Sequence, residues 1–212
     1  MPGSLVSFEG IDGCGKSTQV ALLETYLRSI EVPVAVFREP GGTEVGEKIR
    51  EVLLHPGSII SKHAEVLLYL SSRAQLTAQK ILPYLEHDYV VLLDRFADSS
   101  VAYQGYGRGL PVETIIQMNS FAIQNRYPDL TFLLKISVDA SGERLSGRVP
   151  DRLEGEGNDF KGKVGEGYEM LARRFSGRFV TIDGEKPPQQ VHQKILKELR
   201  DRKLFSIPGV RG

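Results

Sequence analysis

Cysteine is nearly absent from the 212 residues, with Cys14 alone present. One thiol excludes an intrachain disulfide and any multi-cysteine metal site. An excess of either charge is also missing, since 27 Lys and Arg balance 27 Asp and Glu. Neutrality argues against broad electrostatic binding to nucleic acid or to an anionic membrane. It leaves room for a local cluster of arginines around a small anion. Long apolar runs are missing too: residues 90–93, among the longest, fall far short of a bilayer's width. No signal peptide fits ahead of the strand-like segment that begins at Leu5, so a cytoplasmic location is expected. What remains is ordinary. Hydrophobic residues make up 41% and charged residues 25%, which excludes disorder as the main state. The length suits one domain with a substantial core.

Periodicity divides the chain into alternating elements. Residues 5–9 read as a strand and 10–15 as a turn. Residues 16–29 carry Val20, Leu22, Leu23, Tyr26 and Leu27 at helical spacing. Residues 32–37 read as a second strand, with Pro33 at its start where proline is tolerated. Helices are predicted over 44–54, 63–86, 111–126 and 188–202. Strands are predicted over 89–93, 130–136 and 179–182, although Lys135 interrupts the apolar run of its strand. This alternation predicts an α/β fold: a parallel sheet of five strands flanked by helices on both faces through right-handed crossovers. Residues 141–167 hold seven glycines and many charges, which reads as a mobile lid. The domain is expected to span 1–202, with 203–212 a flexible tail.

Gly10-Ile11-Asp12-Gly13-Cys14-Gly15-Lys16-Ser17 matches the phosphate-binding P-loop, G-x-x-x-x-G-K-[ST]. An apolar strand precedes it and an amphipathic helix follows, the context such a loop requires. Its glycines let backbone N–H groups converge on phosphate oxygens, and the helix N-terminus adds partial positive charge. Lys16 would bridge the terminal phosphates and Ser17 would hold Mg²⁺. Cys14, inside the loop, reads either as a small apolar residue or as an accessible thiol activated by the helix N-terminus. The second reading predicts alkylation that ATP prevents.

A GTPase would need N-K-x-D, and no Asn-Lys pair occurs. A large mechanochemical ATPase would need more chain. A small kinase remains, and further motifs favour it. Arg38-Glu-Pro-Gly-Gly-Thr43 follows the second strand, at the carboxyl edge where parallel sheets bind ligands. Gly46 to Arg50 reads G-E-x-I-R. Asp94 to Arg108 reads D-R-F-x-x-S-x-x-A-Y-Q-G-x-G-R, and Asp151 to Glu154 reads D-R-x-E. Together with Phe8 to Thr18, these segments resemble the thymidylate kinase family over about residues 5–200.

The resemblance implies ATP as co-substrate, Mg²⁺ as cofactor and dTMP as acceptor, giving dTDP and ADP on the way to dTTP. It implies a nucleotide site formed by Gly10, Ile11, Asp12, Gly13, Cys14, Gly15, Lys16, Ser17 and Thr18. Tyr69 would stack on thymine while Arg73, four residues on, hydrogen-bonds the base. Ser100 and Gln104 would read the base from the opposite side, and Ser99 belongs to the same acceptor segment. Tyr103 would sit against the sugar and disfavour a 2′-hydroxyl. Arg38, Arg50 and Arg95 correspond to the monophosphate grip, for which guanidinium is chemically suited. Asp12 would lie near acceptor sugar and metal, and Asp94 would reach Mg²⁺ through water. Some family members carry an arginine at the position of Gly13; others supply basic lid residues instead. The glycine here implies the second style, with Arg148 and Arg152 neutralising phosphoryl charge and Arg144 structural. Lys135 stands where the family has an acidic residue, so a local rearrangement is expected there. The resemblance also implies a homodimer.

On this reading catalysis rests on Lys16, Arg95, Asp12, Arg148, Arg152 and Mg²⁺ by positioning and charge neutralisation. A deoxynucleoside kinase would instead need a carboxylate base after the second strand, a part Glu39 could fill, but the arginine grip would then lack a phosphate. A regulatory protein without catalysis predicts loss of Lys16, Ser17, Arg95 or the lid arginines, and all are present.

Overall fold

The computed structural model describes residues 3–147 and 149–204. Its centre is a five-stranded parallel sheet in the order β2-β3-β1-β4-β5. The strands are β1 (Ser4–Glu9), β2 (Val34–Arg38), β3 (Val90–Asp94), β4 (Leu130–Lys135) and β5 (Phe179–Asp183). β1 is buried along its whole length and pairs with β3 on one side and β4 on the other. Its alternating side chains serve two cores. Leu5, with Val91 and Leu93 of β3, packs on Leu76, Ile81 and Leu85. Val6 and Phe8, with Leu92, join Val20, Leu23 and Leu27 of the first helix. Both faces are thus covered, as a parallel sheet requires.

The chain steps from β1 to β2, then back to β3 beside β1, and crosses to β4 on β1's far side. That reversal opens a crevice beyond the carboxyl end of β1, where open α/β sheets bind ligands. The helices around it are α1 (Lys16–Ser29), α2 (Glu44–Leu54), α3 (Lys62–Leu76), α4 (Leu82–Glu86), α5 (Ala97–Ser100), α6 (Val112–Ala122), α7 (Val138–Leu145), α8 (Asn158–Arg174) and α9 (Pro188–Asp201).

Three expectations are corrected. The helix predicted over 63–86 is α3 and α4 joined by a π-helical turn at Thr77–Ile81. The 141–167 segment is not one glycine-rich flap: α7 reaches into its start and α8 occupies its end. α8 buries Phe160, Val164, Tyr168 and Leu171, spaced as one helical stripe. One of its glycines serves packing, since a Cβ on Gly167 would lie 2.8 Å from the Tyr106 ring. At Lys135 there is no rearrangement. Strand pairing runs through it to Asp183, and its exposed ammonium meets Glu169 of α8 at 2.6 Å. Of the expected tail, residues 205–212 lie outside the described residues, as does Arg148.

Candidate active site

β1 ends at Glu9 and α1 begins at Lys16, so Gly10 to Gly15 must turn the chain within six residues. Gly10, Gly13 and Gly15 all have positive φ, at 139°, 77° and 97°, which side chains resist. At Gly10 a Cβ would also meet the Leu134 carbonyl oxygen at 2.5 Å. At Gly13 it would press on α7, 3.3 Å from the Ser141 carbonyl oxygen. The packing of α7 on the loop therefore gives a physical reason for glycine at position 13.

Lys16 folds back over the loop and donates to the carbonyls of Gly10 (3.0 Å) and Ile11 (3.1 Å). Ser17 donates from Oγ to Asp94 Oδ2 at 2.5 Å, joining the start of α1 to the end of β3. This hydroxyl–carboxylate pair fits Mg²⁺, which takes few protein oxygens and fills its shell from phosphate and water. Among the described residues no group of three or more His, Cys, Asp or Glu forms a metal site. Cys14 is buried, 2% exposed, with Sγ 3.6 Å from Lys16 Nζ. The accessible-thiol reading gives way to the small apolar one. Cys14 should resist iodoacetamide in the folded protein with or without ATP, and react on unfolding. Rapid labelling of the folded protein, read by intact mass, would contradict this.

A cleft of about 540 Å³ runs from this loop along the sheet edge. Arg38, Arg50, Tyr69, Arg73, Arg95, Ser99, Ser100, Tyr103 and Gln104 all line it, as do Asp12, Lys16, Ser17 and Asp94. Arg95 is at its centre. It adopts φ 70°, rare for a residue with a side chain, and reaches Asp12 Oδ1 at 2.5 Å and the Gly10 carbonyl at 3.1 Å. Tyr103 donates to Asp12 Oδ2 at 2.9 Å. Burial opposes the charge on Asp12, but Arg95, Lys16 and the Tyr103 hydroxyl outweigh it and hold its pKa at about 2. Beneath this pair Glu9 is fully buried and accepts from the Phe96 N–H (2.8 Å), Ser99 (2.6 Å) and Tyr168 (2.9 Å). Burial, with Asp98 close by, pushes the Glu9 carboxyl up to about 7.

Arg38 and Arg50 stand at the other end of the grip. Arg38 pairs loosely with Glu47 at 3.2 Å, and Arg50 donates to the Pro40 carbonyl at 2.9 Å. Burial and then the nearby Arg38 charge lower the pKa of Arg50. Ser100 closes α5, and Tyr103 and Gln104 lie on a π-helical turn at Val101–Gly107. Such turns widen the helix and recur at functional sites.

The structure departs from the sequence reading at three arginines. Arg73, expected to hydrogen-bond a base, has its donors engaged within the chain. It bonds Glu39 (2.7 Å), Ser100 (2.7 Å), Asn119 (2.6 Å) and the Phe96 carbonyl (3.0 Å), and is 1% exposed. Arg152, expected over the phosphates, is turned instead to Glu65 (2.6 Å) and the Leu53 carbonyl (2.7 Å) by the attraction of that buried carboxylate. Arg144, read as structural, is brought to the P-loop: it lines the cleft and donates to the Gly13 carbonyl at 3.1 Å. Sequence reasoning also missed Glu65 and Tyr168. The apolar stripe from Phe160 to Leu171 could have revealed Tyr168; nothing local marks Glu65.

The sequence model of thymidylate kinase matches residues 8–195. The chain belongs to the thymidylate kinase family. A thymidylate kinase of Thermoanaerobacter sp. (strain X514) is 50% identical over 196 residues, covering 92% of this chain and 97% of that protein. One of Thermosipho africanus is 48% identical over 201 residues, covering 95% and 99%. In three dimensions the chain is similar to the crystal structure of thymidylate kinase from Ehrlichia chaffeensis, with TM-score 0.78 and 32% identity, covering 94% of this chain and 99% of that one. The chain is thus a nucleoside monophosphate kinase that transfers a phosphoryl group from ATP to dTMP. Among the described residues no helix is long and apolar enough to cross a membrane.

Proposed function

We propose that the cleft divides between donor and acceptor around Arg95. The observation that carries this reading is that six P-loop residues, Asp12, Gly13, Gly15, Lys16, Ser17 and Thr18, and all nine acceptor-side candidates line one cavity. The backbone N–H groups from Gly10 to Thr18 hold the ATP phosphates, and Lys16 exchanges its two carbonyl partners for phosphate oxygens. Arg38, Arg50 and Arg95 hold the acceptor phosphate. That phosphate is already ionised near neutral pH, so the chain supplies position and positive charge, with little need of a general base. Ser17 and Asp94 would hold Mg²⁺, whose charge offsets that of the nucleotide phosphates when bound. Asp12, kept ionised by Arg95, orients that guanidinium. Arg144 is placed to meet charge near the P-loop, and Arg152 braces the acceptor side.

Tyr69 packs on the thymine ring, Gln104 and Ser100 meet its edge, and Arg73 fixes the Ser100 hydroxyl. Glu39, the base a nucleoside kinase would need, is buried against Arg73. The reading includes a cytoplasmic location and a homodimer. Exposed Val45 and Val52 on α2, Leu67 on α3 and Phe121 on α6 support the dimer, because these three helices pack side by side. Two measurements test the site. With ATP, turnover should be highest on dTMP among dTMP, thymidine, dUMP, dCMP and dGMP. Gln104→Ala should weaken dTMP binding by about 1–3 kcal/mol and leave ATP binding unchanged. Equal losses for both in separate titrations would remove Gln104 from the acceptor site.

A further inference from the structure

Glu65 is 1% exposed, yet three side chains converge on it, two from the π-helical turn and its end and one from the segment before α8. Gln104 donates from Nε2 to Oε1 at 2.9 Å, Arg108 reaches both oxygens at 3.3 Å, and Arg152 reaches Oε2 at 2.6 Å. An ionised carboxylate only accepts hydrogen bonds. Two guanidinium groups paired with it favour the ionised form of Glu65, and although burial opposes the charge, the Gln104 amide and then these arginines hold its pKa below the ordinary value. The Gln104 amide, whose two ends are otherwise interchangeable, must therefore turn its NH₂ to Glu65. Gln104 lines the cleft, and among the described residues nothing donates to its Oε1. The group it can offer a ligand there is an acceptor.

We propose that Glu65 is a positioning residue for base selection, fixing the Gln104 amide so that its carbonyl oxygen faces N3 of the bound pyrimidine. Thymine carries a hydrogen at N3 and satisfies that oxygen. Cytosine presents a lone pair there, so two acceptors meet and a buried group is left unsatisfied. Ser100 complements this. Its Oγ accepts from Arg73, and among the described residues nothing takes its hydrogen, which suits the 4-oxo group of thymine and not the 4-amino group of cytosine. The inference rests on the reading that Gln104 contacts the base.

The test is the ratio of kcat/KM for dTMP to kcat/KM for dCMP in the parent, Glu65→Gln, Gln104→Ala and the two combined. Glutamine at 65 can donate as well as accept, so the Gln104 amide is freed to turn over. Glu65→Gln should lower the ratio about tenfold, mainly through the KM for dTMP. Gln104→Ala should lower it similarly, and the combination no further. A ratio that falls in Gln104→Ala and not in Glu65→Gln would overturn the positioning role and leave the base contact standing. A ratio unmoved by Gln104→Ala would overturn the base contact itself. If Glu65→Gln does not fold, the exchanged pair Glu65→Gln with Gln104→Glu carries the test, since it keeps one amide and one carboxylate. That pair should restore preference for dTMP to within a few-fold of the parent, and an unselective exchanged enzyme would overturn the proposal.

Discussion

Lys16→Ala should leave the fold standing and lower turnover of dTMP by about two to three orders of magnitude, as loss of one preorganised donor to developing charge does. Lys16 is buried, and among the described residues its ammonium bonds the Gly10 and Ile11 carbonyls and the Cys14 sulfur. Those contacts lie within the loop, so no element of the sheet depends on them. Bound ATP would offer the same ammonium phosphate oxygens, and the attraction grows as charge builds during transfer. Steady-state kcat beside a thermal melt checks both halves. Activity within a few-fold of the parent, in a variant that binds ATP, would sink the P-loop mechanism.

Arg73→Met should cost about 3–5 kcal/mol of stability, seen as a melting temperature lower by roughly 10 °C. Methionine keeps much of the volume but leaves Glu39 without its partner at 2.5 Å, with both side chains almost wholly inside. It also strands Asn119 and the Phe96 carbonyl. The pH dependence has a definite sign. Burial already raises the Glu39 pKa against the pull of Arg73, and removing the arginine raises it further. A carboxyl with a raised folded-state pKa costs increasing stability as pH rises from its unfolded-state pKa to the folded-state one, and the full cost is present above the latter. The deficit of the variant should therefore shrink as pH falls through the further-raised pKa of Glu39, toward the ordinary carboxyl range. A deficit independent of pH would mean that lost packing, not the uncompensated charge, is the cause.

The phosphate cradle was legible because its chemistry is local. Strand, glycine turn, lysine and helix follow one another, and backbone N–H groups do the binding. The sheet was legible for a similar reason: unbroken apolar runs such as residues 90–93 fit only strands covered on both faces. α8 was hidden by its glycines. Their low helix propensity outweighed, on inspection, a stripe that tertiary packing makes decisive. Lys135 looked out of place because it interrupts an apolar strand where the family has an acidic residue, and its partner Glu169 lies on this helix.

By itself, then, the sequence determined the α/β order and the P-loop, since neighbours along the chain and their spacing carry that information, and its motifs marked the acceptor-side residues through the family resemblance. Tertiary structure alone decided what the arginines do with their donors. Arg73 meets Glu39 and Asn119 across 34 and 46 positions, and Arg152 meets Glu65 across 87. Glu39 and Glu65 are buried carboxylates, and each draws in a guanidinium because leaving such a charge unpaired inside the protein is costly.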